Sequence, residues 1–320
     1  STILEHYLPA QAAMVGAART ASLLTIPDGA AKTNGLAAGD AVAELLIAQR
    51  AHDGFRASDI YTPPSPPIPG VWLPTALTPP IGTYLGHMRP FALKSADQFR
   101  PHRPPDLDSK RWAKDYKEVK EIGSSASTSR TAAQTEAARF WGQAPVQQAR
   151  GSFRKFVLDH ALDIADAARF IAMMSVTYAD ALIACFDAKY EYAFWRPLTP
   201  IRAGDTDGND ATVADAAWSP LLPVTPNHPE YPSAHSCITP AAGLVIARFL
   251  HTKKIDFTIP SLGGGIGDRR FDTPSELEYD VASARIWGGI HFRSADEDGA
   301  QVAKRTAHYV LPHYLHRSSD

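Results

Sequence analysis

The sequence is poor in most of the features that announce a function class. Cysteine is nearly absent: Cys185 and Cys237 are the two in 320 residues. Two cysteines make no disulfide framework, and their spacing is not that of a zinc site, so both read as buried apolar thiols. Their closeness in sequence to the motifs below leaves open a thiol near a pocket. An excess of one charge is missing too, with Lys and Arg numbering 32, Asp and Glu 34, and a formal net charge of −2. That balance gives no electrostatic argument for nucleic acid or an anionic membrane as partner. No run approaches the ~18 apolar residues of a membrane span, so none is expected. A basic-then-apolar leader is not seen, and residue 1 is Ser rather than Met. The chain therefore reads as a processed or trimmed form, its compartment is not legible, and export to a periplasm or the exterior is the favoured reading. Alternating strand patterns are scarce, and no fixed-period repeat or low-complexity tract stands out.

Proline, by contrast, is concentrated. Twelve of the 26 prolines lie between Tyr61 and Pro105, a density that forbids helix and interior strand. The same stretch carries Trp72, Leu73, Tyr84, Met88, Phe91, Leu93 and Phe99, which a solvated linker does not need. Residues 59–107 are therefore expected to be ordered, extended and wrapped on a helical body. Helices are expected over about 8–24, 36–52 (stopped by Asp53-Gly54), from about 108 onward, 130–141 with Ser129 as N-cap, 235–251, 274–287 and 295–312. The most apolar stretch, about 152–187, should be central, since a helix apolar on every face is buried. The fold class is all-α: a helical bundle, one domain over 1–320, with the chemistry in a half spanning about 180–300.

Three short segments in that half carry the chemistry. Lys189 and Arg196 are seven apart, on one face of a helix to within about 20°, and Pro197 would stop that helix. The residues between, Tyr190 to Trp195, are largely aromatic; a buried aromatic wall with two cations needs an anion, although solvated surface cations are the plainer alternative. Pro232-Ser233-Ala234-His235 precedes an apolar helix. Pro then Ser is a good helix opening, and a helix start is also an anion site, with His235 placed to move a proton. Arg285 and His291 are six apart and would point about 120° apart on a continuous helix; Gly288-Gly289 offers the break that lets them converge. Together, Lys189, Arg196 and Arg285 supply three positive charges, matching a phosphate-like trianion, with His291 as nucleophile or ligand and His235 as acid–base.

Read jointly and in this order, the segments resemble the active-site signature shared by vanadium-dependent haloperoxidases and type 2 (class A) acid phosphatases. The likeness is closer to the haloperoxidase branch. It extends through Ala179-Asp180-Ala181 to Lys189, Phe194-Trp195-Arg196-Pro197-Leu198 to Arg202, Tyr231 to His235 and Arg285 to Arg293, about residues 176–300. Upstream, Arg50 to Gly54, Pro69 to Trp72 and Glu118 to Thr131 are similar to haloperoxidase-like bacterial and plant members. The resemblance implies vanadate as cofactor, with phosphate able to occupy the same site. His291 would ligate the metal; Lys189, Arg196, Ser233, the Ala234 N–H and Arg285 would hold the oxygens; His235 would deprotonate hydrogen peroxide. Halide and a small organic acceptor are the implied partners. In the phosphatase version His291 attacks a phosphoester and forms a phosphohistidine. A third alternative is a non-catalytic or non-halogenating oxyanion-binding member. A homo-oligomer is open, with the Pro-rich segment as dimer wrap or pocket lid.

Four positions set this chain apart within the resemblance. Ala234 stands where the signature has Gly, and its methyl would crowd the site if φ had to be positive. Ala295 stands where the family often has the Asp that orients the metal-binding His, leaving a backbone carbonyl or Asp296 for that task. Phe186 occupies a position commonly Trp near the halide. His228, seven before His235, is where bromoperoxidases tend to have His and chloroperoxidases Phe, which implies a preference for bromide or iodide.

Overall fold

The computed structural model describes residues 1–203 and 205–314. Among them the chain forms eleven α-helices, a few 3-10 turns and one two-stranded antiparallel sheet, Phe257–Ile259 with Arg269–Phe271. The all-α expectation holds. The contacts divide into two compact units, Ser1–Phe55 and Arg56–Asp320. The first holds α1 (Thr2–Tyr7), α2 (Ala12–Leu24) and α3 (Ala30–Arg50); among the residues of these helices only Ala43 and Arg50 are buried. With so little buried apolar area, these helices form a small unit of their own.

The second unit is a bundle built around two helices. α7 (Ile164–Tyr192) and α9 (Ala234–Leu250) pack against each other, and α10 (Pro274–Trp287) and α11 (Arg293–His313) pack on α9. The main core joins Phe140, Phe156, Phe170, Val245, Phe249 and Leu277, contributed by α5 (Ala132–Trp141), α6 (Pro145–Asp159), α7, α9 and α10. Burial of each such side chain is worth about 1.5–3 kcal/mol. α7 corrects one expectation: it is long and apolar enough to cross a membrane. Its burial accounts for the composition, since Phe170, Met174, Ala181, Ala184 and Cys185 are all sealed in the core.

Two local corrections have simple causes. The N-cap of α5 is Thr131, not Ser129: Thr131 Oγ1 accepts from Gln134 N at 3.2 Å, and Gln134 Oε1 accepts from Thr131 N at 2.9 Å. That reciprocal pair satisfies two N–H groups at once, which Ser129 cannot do. The cysteines are not free thiols. Cys185 of α7 and Cys237 of α9 are buried as expected but bridged, their Cα atoms 6.0 Å apart where the two helices touch.

The Pro-rich segment is ordered and lies along α7. Asp180, fully buried on α7, accepts the N–H groups of Phe91, Ala92 and Leu93 at 2.6–2.8 Å. Trp72 N donates to Ala193 O at 2.6 Å and Trp195 N to Gly70 O at 3.1 Å, while Arg100 grips Asp187 through two bonds. Proline lacks the N–H for a ladder, so side chains and single bridges supply the contacts instead.

Gly289, with φ +76°, makes the turn after α10. A methyl there would collide with the Gly123 carbonyl and stand 2.9 Å from Pro220 Cβ. Gly289→Ala is expected to cost about 3 kcal/mol or more, from the left-handed backbone and the overpacking together. A urea unfolding midpoint within error of the parent would contradict this.

Candidate active site

The three segments meet at one buried cluster. Lys189 sits near the end of α7. That helix ends at Tyr192, with Ala193 left-handed as its C-cap, so Arg196 does not lie two turns along the same helix face as expected. It arrives on an extended stretch, bridged to the Pro-rich segment through Val71 and Phe194. Trp112 of α4 (Lys110–Ile122) holds this stretch against the third segment: its ring centroid is 5.6 Å from Phe194, 5.9 Å from Trp195 and 4.8 Å from Phe292. Gly288 caps α10 and Gly289 turns the chain, as the glycine pair suggested. Arg285 at the end of α10 and His291 beyond it are therefore both directed inward and buried.

Arg196 is the hub. Its Nε donates to His228 O, its Nη1 to Ile290 O and toward His291 Nε2, and its Nη2 toward His228 Nδ1, all at 3.0 Å. A guanidinium only donates, so His291 Nε2 carries a lone pair, while His228 Nδ1 lies between the guanidinium at 3.0 Å and the Pro229 carbonyl at 3.1 Å. The His291 tautomer is fixed from the other side as well. Its Nδ1 lies 2.8 Å from Glu230 Oε1, and that same oxygen accepts the Phe292 N–H at 2.9 Å. Nδ1 therefore holds the proton and Nε2 the lone pair.

Glu230 is the residue that sequence reasoning missed. Asp296, offered as the orienter of His291, instead opens α11 and accepts Ser236 Oγ at 2.7 Å. The Ala295 position contributes only its carbonyl, which accepts the Ser233 N–H at 2.9 Å. Glu230 is sealed from solvent. Burial pushes its carboxyl up, opposed by the Phe292 N–H and the charges of Arg196 and Lys189. Burial likewise raises Asp296, to about 7, against the pull of Ser236 and Ser233, of which Ser236 makes the hydrogen bond.

Lys189 is engaged by the loop before α9. Its Nζ donates to the carbonyls of Pro229 at 2.8 Å, Glu230 at 3.1 Å and Pro232 at 2.5 Å. All three N–H groups are used, so Lys189 clamps the loop that carries Glu230 and Ser233 and adds charge rather than a free donor. Burial and then Arg196 push its pKa well below that of a free lysine, while three facing carbonyls favour the ammonium. Arg196 and Arg285 are pushed down by burial as well, to about 9 and about 10. These are still cations at neutral pH.

The second segment opens α9. Ser233 is the N-cap by backbone, but its hydroxyl caps nothing. Ala234 is the first helical residue and has no positive φ, so its methyl fits where the signature has Gly. His235 follows, its ring edge-on to Trp141 at 6.5 Å, and the Trp141 carbonyl accepts from Arg285 Nη1. Burial, then Arg285, Arg196 and Lys189, hold His235 well below an ordinary histidine, and burial followed by Arg196 does the same to His291. Both imidazoles are neutral at pH 7.

Five of the buried polar side-chain atoms left without a partner among the described residues belong to this cluster. They are Ser233 Oγ, His235 Nε2 and Arg285 Nε, with Glu230 Oε2 and Asp296 Oδ2 beside them. Buried donors are rarely left unmatched, and a group of them marks the place of a ligand. Two of the three can donate to oxygen, His235 Nε2 can give or take a proton, and His291 Nε2 offers a lone pair. That set fits an oxyanion such as vanadate or phosphate. At the edge of the cluster Phe186 stacks obliquely on His228, centroids 5.3 Å apart, so these two sequence-predicted positions are also in place. Burial pushes His228 well below the ordinary histidine range, with Lys189 and Arg196 next.

Comparison with known proteins agrees with this arrangement. A family model described as "VCPO second helical-bundle domain" matches residues 169–319, which carry all three segments. In sequence over these residues and in fold, the chain is similar to the vanadium haloperoxidases. A vanadium chloroperoxidase from Curvularia inaequalis is 26% identical over 174 residues, 40% of this chain. The match spans 28% of that relative's length. The structure of a bacterial vanadium-dependent iodoperoxidase superposes with a TM-score of 0.72 at 27% identity, covering 87% of this chain and 68% of that one. A holo-type bacterial vanadium-dependent chloroperoxidase shares the fold, with a TM-score of 0.72 at 17% identity, over 96% of this chain and 78% of its own. Within that likeness the chain departs from the signature at Ala234 and Ala295, and Glu230 from the 229–232 loop stands beside the histidine.

Proposed function

We propose that this chain is a vanadium-dependent haloperoxidase that uses hydrogen peroxide to oxidise a halide, bromide or iodide ahead of chloride, and so halogenates organic acceptors. The observation that carries the reading is the His291 ring. Glu230 fixes its proton on Nδ1 and turns a lone pair on Nε2 toward Arg196, inside a cluster of buried cations that suits an oxyanion. His291 Nε2 would ligate vanadium; Arg196, Arg285, Ser233 and the opening of α9 would hold the oxygens, with Lys189 supporting the loop beneath them. When bound, vanadate supplies a Lewis acid that renders peroxide electrophilic without itself changing oxidation state. His235, neutral at pH 7, takes the peroxide proton. The bromide or iodide preference rests on His228, which stands against Phe186 at the edge of the cluster and receives Arg196. The name of the iodoperoxidase relative at 27% identity supports the same direction.

A neutral His291 with its lone pair on Nε2 is also a nucleophile once Arg196 turns to a bound oxyanion, so phosphomonoester hydrolysis through a phosphohistidine is the second reading. One pair of assays separates them. Protein loaded with orthovanadate is expected to brominate a phenol dye with peroxide and bromide, more slowly with chloride. Phosphate release from an aryl phosphate, inhibited by vanadate and without dye bromination, would establish the phosphatase instead. Neither activity, with tight vanadate binding retained, would identify a non-catalytic oxyanion-binding member.

A further inference from the structure

A cavity of about 390 Å³ lies against Phe186, Tyr190 and Tyr61. Phe186 is a shared wall. On one side the Gly82 backbone leaves its ring no slack, since a methyl there would stand 2.5 Å from Phe186 Cε1. On the other side the ring meets His228 at 5.3 Å and lies 5.9 Å from Lys189 Nζ. The Phe186 ring therefore lines this cavity and also touches the cationic cluster.

The chemistry of the cavity is opposite to that of the cluster. Its walls are aromatic, with Tyr190 6.4 Å from Phe186 and 5.9 Å from Tyr61, centroid to centroid. Both tyrosine hydroxyls already donate to carbonyls, of Ile81 and Trp72, so they offer ring faces and edges rather than donors. Its rim holds three carboxylates, Asp59, Asp187 and Glu191, against one guanidinium, Arg100. Arg100 bonds Asp187 twice, at 2.7 and 2.9 Å, and Glu191 at 3.1 Å; Asp59 faces His87 at 3.3 Å. Such a rim repels halide, phosphate and vanadate and favours a cation, and the aromatic walls favour a flat ring bearing one. The volume matches a small organic molecule.

We infer that this cavity binds the organic acceptor, and that the acceptor is an arylalkylamine carried as its ammonium ion. The inference rests on the haloperoxidase reading for the word acceptor, but the binding itself needs no vanadate or peroxide. Its test is a matched pair of probes titrated calorimetrically into the protein at pH 7 and low salt: 2-phenylethylamine, a cation, and 3-phenylpropionate, an anion of similar shape. The amine is expected to bind with an affinity that falls as salt rises, and the acid at least 10-fold more weakly. Glu191→Gln, at a half-exposed position outside the core, should weaken the amine about 3-fold or more, and Glu191→Gln with Asp59→Asn further still. Equal binding of the two probes, no binding of the amine, or an amine affinity unmoved by the double substitution would each overturn the assignment. Dye bromination measured separately keeps the two readings apart. Bromination without selective amine binding removes the acceptor pocket alone, and amine binding without bromination removes the haloperoxidase reading alone.

Discussion

His291→Ala is expected to abolish tight vanadate binding and to lower bromination by a factor of 10³ or more. The ring carries the lone pair that a metal needs, and no other buried imidazole in the cluster is set up as it is. His228 has its Nδ1 turned to Arg196 and sits at the Phe186 edge; His235 lies in the first turn of α9. The substitution also removes one of two donors from Glu230 Oε1, leaving the Phe292 N–H. A stability loss of about 2–4 kcal/mol should accompany it, from a buried carboxylate left half-satisfied and a cavity. Thermal melting reports that part, and calorimetric titration of vanadate below the melting temperature reports the other. His235→Ala is the contrast: it should keep the anion and lose turnover, because in the proposed reading the ring handles a proton and ligates no metal. Bromination that survives in His291→Ala would refute the assignment of the site.

Glu230→Leu is expected to weaken vanadate binding by about 10–100-fold and to destabilise the protein by about 3 kcal/mol. Leucine has nearly the volume of glutamate but accepts nothing, so the His291 Nδ1–H and the Phe292 N–H would both be buried and unpaired. The ring would then be free to change tautomer. Glu230→Gln separates orientation from charge. The amide oxygen still accepts both donors, so orientation survives, while one negative charge leaves a site that must attract an anion. Vanadate affinity in Glu230→Gln should therefore equal or exceed that of the parent. If Gln is as damaging as Leu, the carboxylate acts through its charge and not as a positioning group. If neither matters, the bond to His291 has no part in the site.

Much of this was legible in the chain because the signals are local. Helix boundaries near Pro274 and Trp287 follow from capping and from the Gly288-Gly289 pair, and that pair also explained how Arg285 and His291 converge. Phe186 and His228 were named by the family resemblance, His228 through its place seven residues before His235. What the sequence hid is set by contacts between distant segments. Glu230 lies only three residues before Ser233, yet its partner is 61 residues away, and no periodicity links the two. The bridge between Cys185 and Cys237 depends on α7 and α9 packing side by side, which neither spacing nor composition reveals. Arg196 was misplaced onto a helix face because the left-handed Ala193 that ends α7 is not glycine. Thr131 was legible in principle: Thr131 and Gln134 spell a capping box, and Ser129 was the less complete candidate.

The way the Pro-rich segment lies on α7 governs the order in which the site can assemble. Asp180 waits on amides 87–89 residues earlier in the chain, and the strand-like path of Arg196 waits on Val71 and Trp72. Contacts of that sequence separation close slowly, after the helices have formed. The helical bundle can therefore reach near-native compactness while Arg196 is still unplaced and His291 has no donor to face. Refolding followed by circular dichroism should finish before the capacity to bind vanadate returns. During that interval the chain would be a folded-looking protein with no anion site.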